Sequence, residues 1–449
     1  MRDYRIHARN TLRVIFEPEF ETMPRERLRA LQLERLRVLV AHVKERVPLY
    51  RERLKGVERE DIASLRDLRL LPFTRKDDLR DTYSLGMLAR PRSELARIHA
   101  SSGTTGKPTV VAYTEGDLDV FARVVARALA MGGAEPGMTL HNAYGYGLFT
   151  GGLGLHGGGE RLGMTVVPVS GGMTERQLTL IEDLRPEVIA CTPSYALTLA
   201  HAFGERGISP EAISLRFALV GAEPWTESMR REIDAGLGVR CTNIFGLSEI
   251  IGPGVSSECI EERSGSHVNE DHFLPEIVNP ESGEPLPERE DGVLVLTTLT
   301  KQALPLVRYW TGDICSLDVA PCSCGRTLVR MSQIVGRSDD MLIIRGVNVY
   351  PSQVGSVLGH VPELSPHFGL VVRRLGTLDE VEVLAELRPD ALTTLTDERV
   401  REVRERAAVL IRDTIGCTMA VTLVGPGEAP RSDGGKIQRV TDLRESGVD

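Results

Sequence analysis

The sequence predicts an α/β protein in which a large, layered N-terminal domain carrying a β subdomain precedes a small α+β C-terminal domain. Three changes of texture carry this reading. Between about residues 95 and 260, short β-branched runs (165–169, 188–191 and 217–220) alternate with helical stretches such as 118–131 and 174–184. Strands alternating with helices build a layered domain around a largely parallel sheet. From 292 to 344 the pattern turns to short strands at 293–299, 314–317 and 341–344 linked by Gly and Asp turns, the mark of a smaller β subdomain. Beyond about residue 337 it changes again, to strands at 369–373 and 380–387, a helix over 397–414 and a strand at 420–424. That last stretch has the length of a domain in its own right, so the sequence divides into 1–338 and 339–449.

Length agrees with the division, because 449 residues exceed the size at which one hydrophobic core stops growing. Near the N-terminus, Leu28, Leu31, Leu36, Leu39, Val40, Val43 and Val47 recur at helical spacing with Glu26, Glu34 and Glu45 between them. This is an amphipathic, core-packed helix with a solvated outer face, and it carries no chemistry. Hydrophobic content of 41% and charged content of 26% are ordinary for a folded globular chain. The net charge of −9 is spread along the sequence, which excludes a nucleic-acid or anionic-membrane footprint and favours a small-molecule substrate. Residues 1–10 lack an apolar core and no stretch approaches the ~20 apolar residues of a membrane span, so the expected compartment is the cytoplasm. Seven cysteines, an odd count, read as reduced thiols or metal ligands and not as a disulfide framework.

The chemistry begins at Ser101-Ser102-Gly103-Thr104-Thr105-Gly106-Lys107-Pro108, which follows the apolar Ile98 and precedes the strand-like 109–112. Two glycines let the backbone approach an anion, and the hydroxyls and free N–H groups can donate to phosphate oxygens. A P-loop NTPase needs four residues between its glycines and a Ser or Thr after the Lys. Here two residues intervene and Pro108 follows, so that class is excluded. Such a composition alone also makes plain linkers; the motifs further along separate the two.

This segment resembles the phosphate-binding loop of the adenylate-forming superfamily, which includes acyl-CoA synthetases, luciferases and peptide synthetase adenylation domains. Phe245-Gly246-Leu247-Ser248-Glu249 is similar to the family's aromatic-Gly-x-Ser/Thr-Glu motif. The resemblance implies that Phe245 lies near adenine, Ser248 contacts phosphate and Glu249 holds magnesium, a hard cation for which a carboxylate is suited. Tyr309-Trp310-Thr311-Gly312-Asp313 resembles the element whose Asp accepts both ribose hydroxyls, a pair that one carboxylate can satisfy. Gly336-Arg337-Ser338-Asp339-Asp340 matches the hinge motif, placing Arg337 near ribose and phosphate and Asp339 at the pivot of the lid. Lys436, within Arg431 to Arg439, is similar to the family's lid lysine, which stabilises charge developing as the acid attacks phosphorus.

Longer matches at 145–154, 221–225 and 337–351 resemble the phenylacetate-coenzyme A ligases. By that resemblance Tyr144, Phe149, Gly152, Ala222, Phe245, Gly246 and Pro253 line an aryl pocket. The nucleotide side takes Gly221, Glu223, Pro224, Asn243, Ile244, Phe245, Gly246 and Ile334. The run His156-Gly157-Gly158-Gly159 departs from a family pattern with a Tyr in this stretch, so a hydroxy- or amino-substituted aryl acid is expected in place of phenylacetate. Phe245 and Asn243 also replace the family's common Tyr and Asp.

Cys322-Ser323-Cys324 lies in a turn, and Cys259 and His267 lie in a polar loop. Thiolates and an imidazole suit a closed tetrahedral zinc site, but the spacing is not that of a zinc finger and leaves reduced thiols open. Some relatives carry a similar site, and by that resemblance these four bind a structural zinc. The implied cofactors are ATP, magnesium, coenzyme A and this zinc, and a homodimer is compatible with the sequence. The acceptor of the acyl group stands open between coenzyme A, a carrier protein and another nucleophile such as an amine or nitrite. A non-catalytic nucleotide sensor is disfavoured, because it has no use for Lys436.

Overall fold

The computed structural model describes residues 14–100, 108–338, 342–344, 347–375, 378–394, 396–431 and 439–444. It forms two compact units, Met1–Ala222 with Gly236–Gln333, and Glu223–Ala235 with Ile334–Asp449. The excursion of Glu223–Ala235 into the second unit left no trace in the sequence texture.

In the first unit, helix α1 (Arg25–Arg46) buries Leu28, Leu36, Leu39, Val40 and Val43. The helical spacing of the sequence runs through Val47, but Pro48 forces Val47 into an extended backbone and a separate short helix, Pro48–Arg53, follows. Strands β1 (Arg97–Ala100) and β2 (Val110–Tyr113) pair antiparallel. Helix α2 (Glu115–Met131) starts at a capping box in which the Thr114 hydroxyl accepts from the Asp117 N–H and the Asp117 carboxylate accepts from the Thr114 N–H.

Next come β3 (Thr139–Asn142), α3 (Gly151–Leu162), β4 (Thr165–Val167), α4 (Thr174–Leu184), β5 (Val188–Cys191), α5 (Pro193–Glu205), β6 (Phe217–Gly221), α6 (Glu227–Leu237) and β7 (Arg240–Leu247). Strands β4, β3, β5, β6 and β7 lie side by side in parallel. Of these, β5 and β6 are continuous apolar runs with every residue buried, as in strands covered on both faces. The sheet continues antiparallel through β8 (Gly252–Glu258) and β9 (Ser266–Val268). A second antiparallel set runs β10 (Phe273–Val278), β11 (Gly292–Thr298) and β12 (Tyr309–Cys315). The expected strand at 314–317 therefore begins earlier, so the Tyr309–Asp313 motif is itself strand. Two-residue strands β13 (Leu317–Asp318) and β14 (Arg330–Met331) close the large sheet beyond β9.

The second unit contains β15 (Gly336–Arg337), a hairpin of β16 (Leu342–Ile344) and β17 (Val347–Val349), and helix α7 (Pro351–Leu358). Long strands β18 (Leu364–Leu375) and β19 (Leu378–Leu387) pair antiparallel. Helix α8 (Asp397–Ile415) turns its Val403, Ala407 and Ile411 to the core, and β20 (Ala420–Val424) and β21 (Val440–Asp442) flank the long pair in parallel.

Candidate active site

The carboxyl ends of β6 and β7 and the segment before α3 enclose a small cavity of about 50 Å³. Crevices outside the carboxyl ends of parallel strands are where open α/β sheets bind ligands. Tyr144, Phe149, Ala222, Gly246 and Pro253 line it, joined by Ile244 and Ser248. Thr150 and Gly151 line it too; the 145–154 resemblance covers both without assigning either a role.

Gly152 and Phe245, assigned above to the pocket, are not on its wall. Ile244 and Gly246 line the cavity from β7, and the pairing with β8 is irregular between Phe245 and Gly246, where simple alternation of side chains breaks down. Gly152 instead packs on Gly145, whose carbonyl oxygen a Cβ at 152 would meet at 2.5 Å. Gly157 is likewise absent from the lining and faces α2, 3.8 Å from the Ala122 methyl measured from where its Cβ would stand. The missing ring opens no space in the cavity, which removes the reason for expecting a substituted acid.

Two glycines are required where strands close over the cavity. A Cβ on Gly221 would stand 2.0 Å from the Ile244 carbonyl oxygen, and one on Gly246 would stand 1.9 Å from that of Gly252. Between them Ala222 adopts a left-handed backbone, φ 74°, and the Tyr144 hydroxyl donates to the Gly221 carbonyl at 3.3 Å.

The turn between β7 and β8 carries Ser248 and Glu249, both buried. Thr150 Oγ1 lies 3.4 Å from Ser248 Oγ, which joins the turn to the start of α3. Asn243 precedes it on β7, its N–H donating to Glu258 at 2.8 Å. Asp313 lies buried on β12 behind Thr311, whose hydroxyl accepts from the Asp313 N–H and donates to the Leu294 carbonyl. Glu223, Pro224, Ile334 and Arg337 belong to the second unit, Arg337 on β15. Ser101, Ser102, Gly103, Thr104, Thr105, Asp339 and Lys436 lie outside the described residues. Strand β1, which leads into 101–107, is tied to the segment before α3, since the Ala100 N–H donates to the Leu148 carbonyl at 2.9 Å.

Away from the cavity, Cys259, His267, Cys322 and Cys324 bring one ligand atom each within 4.8 Å of the others. Cys259 and Cys322 sulfurs stand 3.6 Å apart, and Cys324 sulfur is 3.3 Å from His267 Nε2. A disulfide would need ~2.05 Å, whereas thiolates ~2.3 Å from a tetrahedral zinc stand about 3.7 Å from each other. His267 Nδ1 lies 3.2 Å from the Leu328 carbonyl, which fixes the ring and leaves Nε2 toward the sulfurs.

A model of the AMP-binding enzyme family matches residues 21–299, and one of the AMP-binding enzyme C-terminal domain matches residues 346–444. A Thermus thermophilus phenylacetate-coenzyme A ligase is 63% identical over 445 residues, 96% of this chain and 100% of its own. The phenylacetate-coenzyme A ligase of Escherichia coli is 50% identical over 94% of this chain and 97% of its own. A crystal structure of 2-hydroxyisobutyryl-CoA ligase superposes with a TM-score of 0.90 at 25% identity, covering 99% of this chain and 96% of that one. Fold and site together define an AMP-forming acid–thiol ligase. The chain belongs to the phenylacetate-coenzyme A ligase family, within the AMP-binding enzymes.

Proposed function

We propose that the chain activates phenylacetate. Its carboxylate oxygen attacks the α-phosphorus of ATP and pyrophosphate leaves; the coenzyme A sulfur then attacks the acyl carbon, AMP leaves and the thiol proton is released. The observation that carries this is the cavity at the carboxyl ends of β6 and β7, walled by Tyr144, Phe149 and Pro253 and bordered by Ser248. An aryl ring suits the wall, and its carboxylate then adjoins the nucleotide side. With the space at Gly157 outside the cavity, nothing favours a hydroxy- or amino-substituted benzoate. The high identity to ligases named for phenylacetate supports the unsubstituted acid.

Within this reading Glu249 holds magnesium, Ser248 and the 101–105 loop hold phosphate, and Asp313 and Arg337 hold the ribose side. Gly221, Glu223, Pro224, Asn243, Ile244, Phe245 and Ile334 border adenine. Lys436 stabilises the charge that develops in adenylation, and Asp339 is the hinge between 1–338 and 339–449. Coenzyme A is the acceptor in preference to a carrier protein. The Cys259, His267, Cys322 and Cys324 cluster fits a structural zinc by its donor set and spacing, and that ion would supply stability alone. All seven cysteines are buried and none forms a disulfide, which suits the reducing cytoplasm.

Acid-dependent ATP–pyrophosphate exchange over phenylacetate, 4-hydroxybenzoate, 2-aminobenzoate and a fatty acid tests the proposal. Phenylacetate is expected to give the highest kcat/KM. A benzoate in first place overturns the substrate, and no exchange with any acid overturns the activity.

A further inference from the structure

Lys301 is a buried ammonium that none of the motifs accounts for. Its residue is only 5% exposed, in the connection from β11 to β12, and its Nζ donates to the backbone carbonyl of Glu249 at 2.9 Å. A lysine almost never lies this deep unless its charge is used or paired. Besides the Thr150 contact from the α3 side, two further side chains hold the β7–β8 turn. The Tyr113 hydroxyl from the end of β2 reaches the carbonyls of Ser248 (3.4 Å) and Ile251 (3.0 Å). The Lys301 ammonium sits over the same Tyr113 ring, 5.1 Å from its centroid. Two stacked side chains thus fix three carbonyls of a four-residue turn.

The pedestal beneath them is rigid. Asp117, in the first turn of α2, accepts the N–H groups of Gln302 at 2.6 Å and Ala303 at 2.9 Å as well as that of Thr114. The backbone on the C-terminal side of Lys301 is therefore anchored to the helix. The charges facing the ammonium are Asp117 on α2 and Glu249 on the turn; burial nevertheless pulls it down to about 8.

We propose that Lys301 is a positioning residue for the magnesium-binding carboxylate, acting through the Glu249 backbone. This rests on the reading of Glu249 as the metal ligand. A side chain can hold a cation in one geometry only if its own Cα is fixed, and Lys301 with Tyr113 fixes it. Partners that orient a metal ligand from behind typically matter 10- to 100-fold in metal affinity.

The sign of the effect distinguishes positioning from simple charge. Taking a positive charge away from Glu249 would by Coulomb attraction alone tighten cation binding there; loss of a positioning contact weakens it. The experiment is a free-Mg²⁺ titration of acid-dependent ATP–pyrophosphate exchange in the full chain, with thermal melting as the folding control. Lys301→Met is expected to raise the half-saturating Mg²⁺ about tenfold with the KM of the acid unchanged, and Lys301→Arg to restore it to within about threefold. Should the Met variant not fold, Lys301→Gln, uncharged and shorter, decides in the same way. A folded variant with an unchanged or lowered Mg²⁺ requirement overturns the proposal. Glu249→Gln run in parallel separates the two readings. If it shifts the Mg²⁺ requirement and the Lys301 variants do not, only the positioning role fails. If it shifts nothing, the metal-ligand reading fails and the Lys301 proposal with it.

Discussion

Ala222 holds its methyl group against the cavity from a left-handed backbone, φ 74°, a conformation that costs an L-residue about 1–2 kcal/mol. Glycine would relieve that cost and partly offset it by greater freedom in the unfolded chain. On the proposed reading of the cavity as the acid pocket, the methyl offsets that cost as a wall for the bound acid. Ala222→Gly is expected to raise stability by up to about 1 kcal/mol on melting. It should also raise the KM for the acid about fourfold, the worth of one lost methyl contact. A variant that melts higher with its KM unmoved would remove the methyl from the binding surface. Ala222 was named by resemblance, but its backbone could not be read from sequence: nothing in Gly221-Ala222-Glu223 announces which residue turns left-handed. Thr150 and Gly151 escaped for a similar reason, because their exposure to the cavity depends on how the chain enters α3.

At the scale of elements, α2 is tied to the connection between β9 and β10 by a buried arginine. Arg127 gives its two Nη atoms to the Asp271 carboxylate at 2.7 and 2.9 Å and its Nε to Glu17 at 2.7 Å, with both Arg127 and Asp271 fully buried. Burial opposes the Asp271 charge, but the neighbouring His272 and Arg127 outweigh it and hold the carboxyl well below the usual range. Arg127→Met strands that carboxylate and is expected to cost about 3–5 kcal/mol in urea unfolding, far more than a surface pair. Beside it, burial pushes His272 down to about 3. A folded pKa below the unfolded ~6.5 means that the unfolded chain takes up the extra proton. This contribution to stability is complete above about pH 6.5 and erodes as pH falls toward 3, so the melting temperature should drop more between pH 7 and 4 in the native chain than in His272→Asn. The cysteine cluster pins β9 to the 322–328 loop; the native protein purified without chelator should carry about one zinc per chain, and Cys324→Ser should lose it and melt lower. The helices and strands of this region were legible because their periodicity is local. The Arg127–Asp271 pair was not, since 144 positions separate its partners and no periodicity reports such a distance.

For the molecule as a whole, the two half-reactions of the proposed ligase require two charge distributions at one carboxyl carbon, and the proposal assigns Lys436, in the second unit, to the first of them. Sequence texture revealed that unit, because its strands and its helix α8 form a core of their own around Leu370, Val372, Val383 and Val403. It did not reveal that Glu223–Ala235 groups with it, since that is a matter of which surface α6 meets. The approaches to the lysine segment are firmly built. The buried Glu386 accepts the N–H groups of Gly427 at 3.0 Å and Ala429 at 3.2 Å and the Arg431 guanidinium at 2.8 Å. On the far side the Arg439 carbonyl accepts from the Leu370 N–H at 2.7 Å, and its guanidinium covers the Phe368 ring. On the proposed reading, flanks anchored in this way suit a lysine that serves the α-phosphate during adenylation. Lys436→Ala is accordingly expected to slow acid-dependent pyrophosphate release on the order of 10²-fold or more, the loss that follows when a preorganised charge is removed from a reacting centre. Given preformed phenylacetyl-adenylate and coenzyme A, the same variant should make thioester at close to the native rate, because no phosphorus is attacked in that step. Pyrophosphate release at the native rate would show that the lysine takes no part in adenylation, and equal slowing of both steps would assign it to holding the adenylate throughout.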